Sequence, residues 1–334
     1  MAKRIVTIVL TGGPCGGKDN AIEYLQTELS KHGVTKVLVG REVATHLMEE
    51  GVGNLGELRQ RDMGGYVAAQ HGILMAQLGH EEYLQAFARA LPHKLVVVLL
   101  NRGTMDNGGY LEPHQFVDVM GRSGRGIIDL RDRYDGVIHL VTAAKGAEAH
   151  YGMATNARRY EGLDEARLRD GCILQQWIGH PHLRVVENDG GSFEDKLKRV
   201  LAYALRIIGL PQPLEIERKF RIVKPVPFAK IVTAAGWVNS VDITQMYVET
   251  PARGRFRIRR VEQQGDSAYY ATWKTEIAPG VKTEVEERMT WAEYDVFQLK
   301  IVPGTQIITK SRRSFYLDGH YFELDDFKHP AKGL

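Results

Sequence analysis

Residues 5–20 read IVTIVLTGGPCGGKDN: an apolar run, a glycine-rich turn, then a lysine at the head of a helical pattern. Gly12, Gly13, Gly16 and Gly17 let the backbone turn tightly and aim successive N–H groups inward, and a helix opening at Lys18 adds the positive end of its dipole. The spacing from Gly12 to Lys18 fits G-x-x-x-x-G-K in its strand, loop and helix setting. The stretch predicts a phosphate cradle of Gly13, Pro14, Cys15, Gly16, Gly17, Lys18, Asp19 and Asn20, with Lys18 reaching the β- and γ-phosphates. Asp19 breaks the pattern, because a Ser or Thr hydroxyl normally stands there and holds Mg²⁺. A carboxylate beside the phosphates either binds the metal more strongly or repels the nucleotide.

Outward from this loop, 334 residues with 43% hydrophobic and 25% charged side chains leave room for two globular domains. The net charge of +3 lies wholly in residues 213–334, with 19 Lys/Arg against 16 Asp/Glu, so an anionic partner must be argued from local clusters. Cys15 and Cys172 make neither a disulfide framework nor a metal spacing, which favours a reducing, cytoplasmic setting. Lys3 and Arg4 before IVTIVL mimic a signal peptide, but the apolar run is too short for one, and no run is long enough to span a bilayer.

Ile22, Leu25 and Leu29 continue the first helix and Gly33 ends it. A short strand then runs into Arg41 and Glu42, at the phosphate end of an α/β sheet, which makes Glu42 a candidate for contact with a substrate hydroxyl or a metal-bound water. Residues 66–91 form a long amphipathic helix on which Gln70, Gln77 and Glu81 share a face; a solvated polar face is the preferred account of them. The run KLVVVLLNR, Lys94 to Arg102, reads as a strand buried on both faces. An Asp usually ends this strand and holds Mg²⁺, and here the position is Asn101. Asp19 and Asn101 thus suggest a reciprocal exchange that keeps one acid near the ion, the competing account being a site that binds nucleotide without hydrolysing it. Lys18, Glu42 and Arg102 are the candidate catalytic residues, with Asp106 a replacement acid. Residues 121–134, GRSGRGIIDLRDRY, look like an arginine-bearing lid, and a helix with Arg158 and Arg159 is expected to help clamp the phosphate tail.

GGPCGGK, NRG-x-MD, RDRYDGVIHLVTAA, NARRYE and W-x-GHP together resemble the P-loop domain of the TRPL translocation defect protein family, related to NadR-type nucleoside kinase-like ATPases, over about residues 4–210. The resemblance implies binding of ATP or GTP. It also implies Ser/Thr at position 19 and Asp at position 101, where this chain has Asp19 and Asn101.

Gly209 to Pro213 is a proline-punctuated joint that divides the chain into domains 1–210 and 211–334. Beyond it, strand-like segments carry charge on one face: Glu215, Glu217 and Lys219; Arg255, Arg257 and Arg259; Lys274; Lys282, Glu284, Glu286 and Arg288; Lys310 and Arg312; Glu323 and Asp325. Six such strands suggest an α+β domain whose antiparallel barrel closes with its charges inward, a tunnel for a polyanion with its metals. E-x-E-x-K, FRIR, TWK, E-V-E, K-x-R and E-x-D in this order resemble the CYTH, or triphosphate tunnel metalloenzyme, superfamily. By that resemblance Lys219, Arg257, Arg259, Lys274, Lys310 and Arg312 bind triphosphate, with Glu217 and Lys219 catalytic. Glu215, Glu217, Glu284, Glu286, Glu323 and Asp325, together with Asp19 in the first domain, hold Mg²⁺ or Mn²⁺. The chain ends at KHPAKGL, where the family continues into a further acidic strand, so an incomplete barrel is expected.

These readings imply a metal-dependent phosphohydrolase or phosphotransferase acting on a nucleoside triphosphate or inorganic triphosphate. The alternatives are a nucleotide-regulated binder of anionic lipid such as phosphatidic acid, peripheral at membranes, and an RNA 5′-end triphosphatase or kinase. No aromatic-interleaved basic patch supports a nucleic-acid partner.

Overall fold

The computed structural model describes residues 3–152, 162–189, 191–210, 220–223, 226–250, 254–278 and 281–330. The chain divides into two compact units, one of Met1–Gly126 with Leu130–Leu210 and one of Pro211–Leu334 with Ile127–Asp129. Each unit is built around one sheet.

In the first unit β1 (Arg4–Thr11) leads through the glycine loop to α1 (Lys18–Lys31) and β2 (Lys36–Gly40). Then come α2 (Val43–Leu47), α3 (Leu55–Arg61), the 28-residue α4 (Met63–Ala90) and β3 (Leu95–Asn101). α5 (Pro113–Ser123), β4 (Gly136–Leu140), α7 (Leu163–Trp177), β5 (Leu183–Val186) and α8 (Phe193–Ile208) complete it, and α6 (Ile127–Arg131) is divided between the units after Asp129. The strands are parallel in the order β2-β3-β1-β4-β5. β1 and β3 are buried along nearly their whole length, which is why both read as unbroken Val/Ile/Leu runs. Val6, Ile8 and Leu10 pack with Leu25 and Leu29 of α1 and with Val200, Ala204 and Ile208 of α8. Each Val, Ile or Leu side chain among them contributes about 2 kcal/mol of apolar transfer. α8 starts on a reciprocal Ser192/Asp195 cap and stops at Gly209, whose φ of 78° suits glycine alone without strain.

With β1 in the middle, the chain passes to the β3/β2 side and later to the β4/β5 side. Such a reversal leaves a crevice at the carboxyl ends of the strands, where the glycine loop lies.

The second unit places α9 (Phe228–Ala235) before β6 (Asn239–Thr250), β7 (Gly254–Gln263), β8 (Asp266–Ala278) and β9 (Val281–Met289), with α10 (Trp291–Gln298), β10 (Ile308–Leu317) and β11 (His320–His329) after them. The strands are antiparallel in the order β11-β10-β6-β7-β8-β9. Gln264-Gly265 and Asp318-Gly319, all at positive φ, make two of the hairpin turns. On one face Met246, Val248, Phe256, Ile258 and Ala271 pack with Tyr294 of α10. The other face holds Arg257, Arg259, Lys274, Glu284, Glu286, Lys310, Arg312, Glu323 and Asp325. The antiparallel sheet does not close into a barrel, in keeping with the expected incomplete one: among the described residues β9 and β11 are its edges. The first charged segment, with Glu215, Glu217 and Lys219, lies outside the described residues.

Candidate functional site

The glycine loop floors a cavity of about 980 Å³ within the first unit, lined by Pro14 to Asn20 at its base. Gly17 has a φ of 87° and caps α1 with its backbone alone, so the first turn's N–H groups face the cavity. Gly13 does not line it: its N–H donates to Asp170 Oδ1 at 2.7 Å, and a Cβ there would meet Asp170 at 2.8 Å. Asp170 on α7 also takes the Thr142 N–H and pairs with buried His139, so it fixes the loop from behind rather than offering an amide to phosphate. No motif marked Asp170 in the sequence.

Lys18 is 9% exposed, and its Nζ donates to Gly12 O and Gly13 O, both at 3.0 Å. Burial, reinforced by the Arg102 charge, lowers its pKa to about 8. Glu42, at the N-terminus of α2, holds Arg102 Nε in an ion pair and accepts from Thr45 Oγ1 at 3.0 Å. Burial alone would raise the Glu42 pKa, but Arg102 and Lys18 outweigh it and hold the carboxyl at about 2. Arg102, at a φ of 72°, also reaches Asp106 Oδ2 at 3.5 Å and lies 5.5 Å over the Tyr110 ring. Lys18, Glu42 and Arg102 thus meet at the ends of β1, β2 and β3.

Asn101 Nδ2 donates to Asp19 Oδ1 at 2.6 Å, and Asn101 Oδ1 is buried without a partner. The two exchanged residues are in contact. A free carboxylate oxygen and an orphaned amide oxygen side by side are hard donors of the kind Mg²⁺ or Mn²⁺ takes, so the residues fit a divalent ion. Asp106 lines the cavity too: its Oδ1 accepts from Thr11 Oγ1 and Trp177 Nε1, both at 2.6 Å, while its buried Oδ2 takes no hydrogen bond and lies 3.5 Å from Arg102 Nη1.

Two expectations change. Gln70, Gln77 and Glu81 are not solvated: they are 4%, 4% and 5% exposed, and Gln70 and Gln77 line the cavity. Residues 121–134 form no lid over it but close α5, form α6 and lead toward β4. Their arginines are held by acids, Arg131 by Asp132 and Arg133 by Glu81, because glycine punctuation here marks helix ends. Arg158 and Arg159 lie outside the described residues. Tyr66, Tyr110, Asn107, Lys196 and Arg199 also line the cavity, and motif reading missed them all. Lys196 donates to Val141 O at 2.7 Å and Asn188 Oδ1 at 2.8 Å, and burial lowers its pKa to about 8.

On the charged face of the second unit, register brings Arg257, Thr272 and Glu286 into one row. Arg259 pairs with Glu286 at 2.7 Å, and Glu284 takes Lys274 at 2.8 Å and Arg257 at 3.3 Å. Asp325 takes Lys310 at 2.6 Å and Arg312 at 2.7 Å, and Glu323 takes Arg312 at 2.5 Å. Burial opposes the charge of Asp325, yet its bonds with Arg312 and Lys310 hold its pKa at about 2. Each described acid here is bound to a base, and no three metal-ligating side chains converge among the described residues.

A parallel sheet with a lysine-bearing glycine loop at the carboxyl end of its central strand defines a P-loop nucleotide-binding protein, here followed by an antiparallel sheet with a charged face. The chain belongs to the family described as AAA domain (AAA_28), whose model matches residues 7–196, and the CYTH domain model matches residues 213–329. No curated protein matches. Among solved structures the chain is similar to the PH1819 protein from Pyrococcus horikoshii OT3, at 18% identity over 31% of this chain and 67% of that one, with a TM-score of 0.26. Among the described residues no helix is long and apolar enough to cross a membrane.

Proposed function

We propose that the first unit transfers the γ-phosphoryl group of ATP or GTP with the help of Mg²⁺ or Mn²⁺, and that the second unit binds triphosphate on its charged face. One observation carries the first part: Lys18, Asp19, Glu42 and Arg102 line one cavity on the glycine loop, with Asn101 hydrogen-bonded to Asp19. The CYTH match and the paired rows of Arg257, Arg259, Lys274, Lys310 and Arg312 support the second. The domain order agrees with the resemblance to the TRPL translocation defect protein family.

Lys18 leaves the Gly12 and Gly13 carbonyls to meet the β- and γ-phosphates, and amides of the loop and the first turn of α1 take the remaining oxygens. Glu42, ionised at neutral pH, accepts the hydrogen bond of the attacking hydroxyl and orients it. Arg102, fixed by Glu42 and Asp106, meets the charge that spreads over the transferred group. Asp19 and Asn101 would hold the divalent ion, which when bound supplies neutralisation of the phosphate charge.

The test is phosphate release from ATP, GTP and inorganic triphosphate with Mg²⁺ and with Mn²⁺, comparing the wild type with Lys18→Ala and Glu217→Ala. Loss of nucleotide turnover in Lys18→Ala is the expected outcome. Unchanged turnover and nucleotide affinity in that variant would overturn the reading.

A further inference from the structure

Arg102 can meet a transferred phosphoryl group only if its donors point at it. Glu42 holds Nε, and Nη1 lies 3.5 Å from both Asp106 Oδ2 and the Gly12 carbonyl oxygen. Nη2 is bonded to no described residue, so it is the donor left for phosphate. Contacts along its edge do not by themselves fix the plane of a guanidinium, whereas a ring against its face does.

Tyr110 supplies that ring. Arg102 Cζ lies 5.5 Å over its centroid, and a second cation, Arg169 of α7, lies 4.8 Å over the same ring. Arg169 is buried, and among the described residues no acid pairs with it. A buried guanidinium without a carboxylate is costly, so its place beside Tyr110 calls for a reason. Its Nη1 donates to the Gly109 carbonyl, one residue before the ring. Arg169 thus grips both the Tyr110 ring and the backbone that carries it.

The 3₁₀ segment Thr104–Tyr110 lies close against α7. A Cβ at Gly109 would come within 2.5 Å of Ile173 Cγ1, and one at Gly108 within 2.6 Å of Gln176 Oε1. The residue after Arg169 on α7 is Asp170, which holds the Gly13 N–H of the glycine loop at 2.7 Å. One helix therefore braces the loop directly and Arg102 through Tyr110.

We infer that Tyr110 and Arg169 are positioning residues for phosphoryl transfer: together they set the plane of the Arg102 guanidinium and aim Nη2 at the transferred group. The inference rests on the phosphoryl-transfer reading above. The nucleotide itself is held by the loop and Lys18, so the effect of the two residues falls on turnover and not on binding.

The experiment measures kcat for release of labelled γ-phosphate from ATP and GTP by the full chain with Mn²⁺, together with the nucleotide dissociation constant. Tyr110→Leu, which removes the ring, is expected to lower kcat about tenfold and to leave the dissociation constant within about twofold. Tyr110→Phe, which keeps the ring, retains most of kcat. Arg169→Met gives a loss of similar size, and Arg169→Lys, which keeps a charge and a donor for the Gly109 carbonyl, recovers part of it. Arg169→Met leaves the ring in place, so it carries the test if Tyr110→Leu does not fold. In an Arg102→Ala background, where no guanidinium remains to be aimed, Tyr110→Leu and Arg169→Met each cost less than about twofold further. A merely structural role gives the same loss in both backgrounds. That result overturns the inference, as does an equal loss in Tyr110→Phe and Tyr110→Leu. Release that depends on Lys18 while kcat is unchanged in Tyr110→Leu and Arg169→Met removes the inference alone; wild-type release that does not depend on Lys18 removes it together with the phosphoryl-transfer reading.

Discussion

At Lys18 the cost of burial is visible as a pKa of about 8 against 10.5 in water. Between those values the unfolded chain binds the extra proton, so the penalty on folding is full below pH 8 and disappears as pH rises toward 10.5. The consequence for binding has the opposite sense. At pH 8–9 part of the free protein carries a neutral Lys18, and bound phosphate raises its pKa again, so nucleotide binding takes up protons and weakens as pH rises above 8. Calorimetry in buffers of different ionisation heat measures that uptake, and Lys18→Arg, always charged, removes it. Asp19 and Asn101 allow a second test at this scale. Asp19→Ser leaves the metal pair without a carboxylate, and Asn101→Asp sets two carboxylates against each other, so each variant alone loses at least about tenfold in metal-dependent turnover. The double variant restores one acid and regains much of the loss, read from Mn²⁺-dependent phosphate release. The exchange was legible in the sequence because both positions belong to motifs of fixed spacing. Gln70 and Gln77 were not, since an amide on an amphipathic helix looks the same facing solvent or lining a cavity.

Among the elements, the loop between β1 and α1 is closely confined. A Cβ on Gly12 would come within 2.1 Å of the Leu140 carbonyl oxygen, at a φ of 136°. Gly33, at a φ of 85°, has nothing within 4 Å of its would-be Cβ. Gly12→Ala is therefore expected to destabilise the protein by about 3 kcal/mol, from strain plus backbone displacement, and Gly33→Ala by about 1 kcal/mol from strain alone. Thermal unfolding of the two variants compares them directly, and equal losses would show that the contact with Leu140 does not constrain the loop. The contrast also explains what could be read from sequence at this scale. β1 and β3 stood out because burial on both faces demands continuous apolar runs, and α8 because Phe193 to Ile208 keeps a clear helical stripe. β6 lies inside the second sheet yet gives no such signal, because its residues on the charged face, Val241, Ile243, Gln245 and Tyr247, carry no charge. The segment after α5 was misjudged for a related reason. Glycines and arginines together look like a mobile lid until Asp132 and Glu81 are seen to neutralise Arg131 and Arg133.

Over the whole molecule, both sheet types and their order were legible, because a glycine loop with a lysine and a run of strands with one charged face are patterns that few folds satisfy. Closure of the second sheet was not, since alternation gives the face a strand presents and says nothing of which edges meet. On that face the bases are already neutralised, and this sets the last expectation. Lys310 and Arg312 both spend their charge on Asp325, whose pKa of about 2 keeps it ionised from neutral pH down to that value. For triphosphate to bind there without metal, the anion must compete with Asp325 for two cations and tolerate its negative charge. Asp325→Asn removes the competitor and the repulsion together, so in a chelator it is expected to raise the affinity for inorganic triphosphate about tenfold. With Mn²⁺ the sign should reverse if Asp325 is one of the metal-holding acids that the CYTH resemblance implies, because the carboxylate is then what brings the ion to the phosphates. Titration calorimetry of wild type and Asp325→Asn, with chelator and with Mn²⁺, separates the roles. A gain in both conditions leaves Asp325 as a brace for Lys310 and Arg312, a gain that turns into a loss when metal is added makes it a ligand, and a loss in both would remove triphosphate from this end of the face.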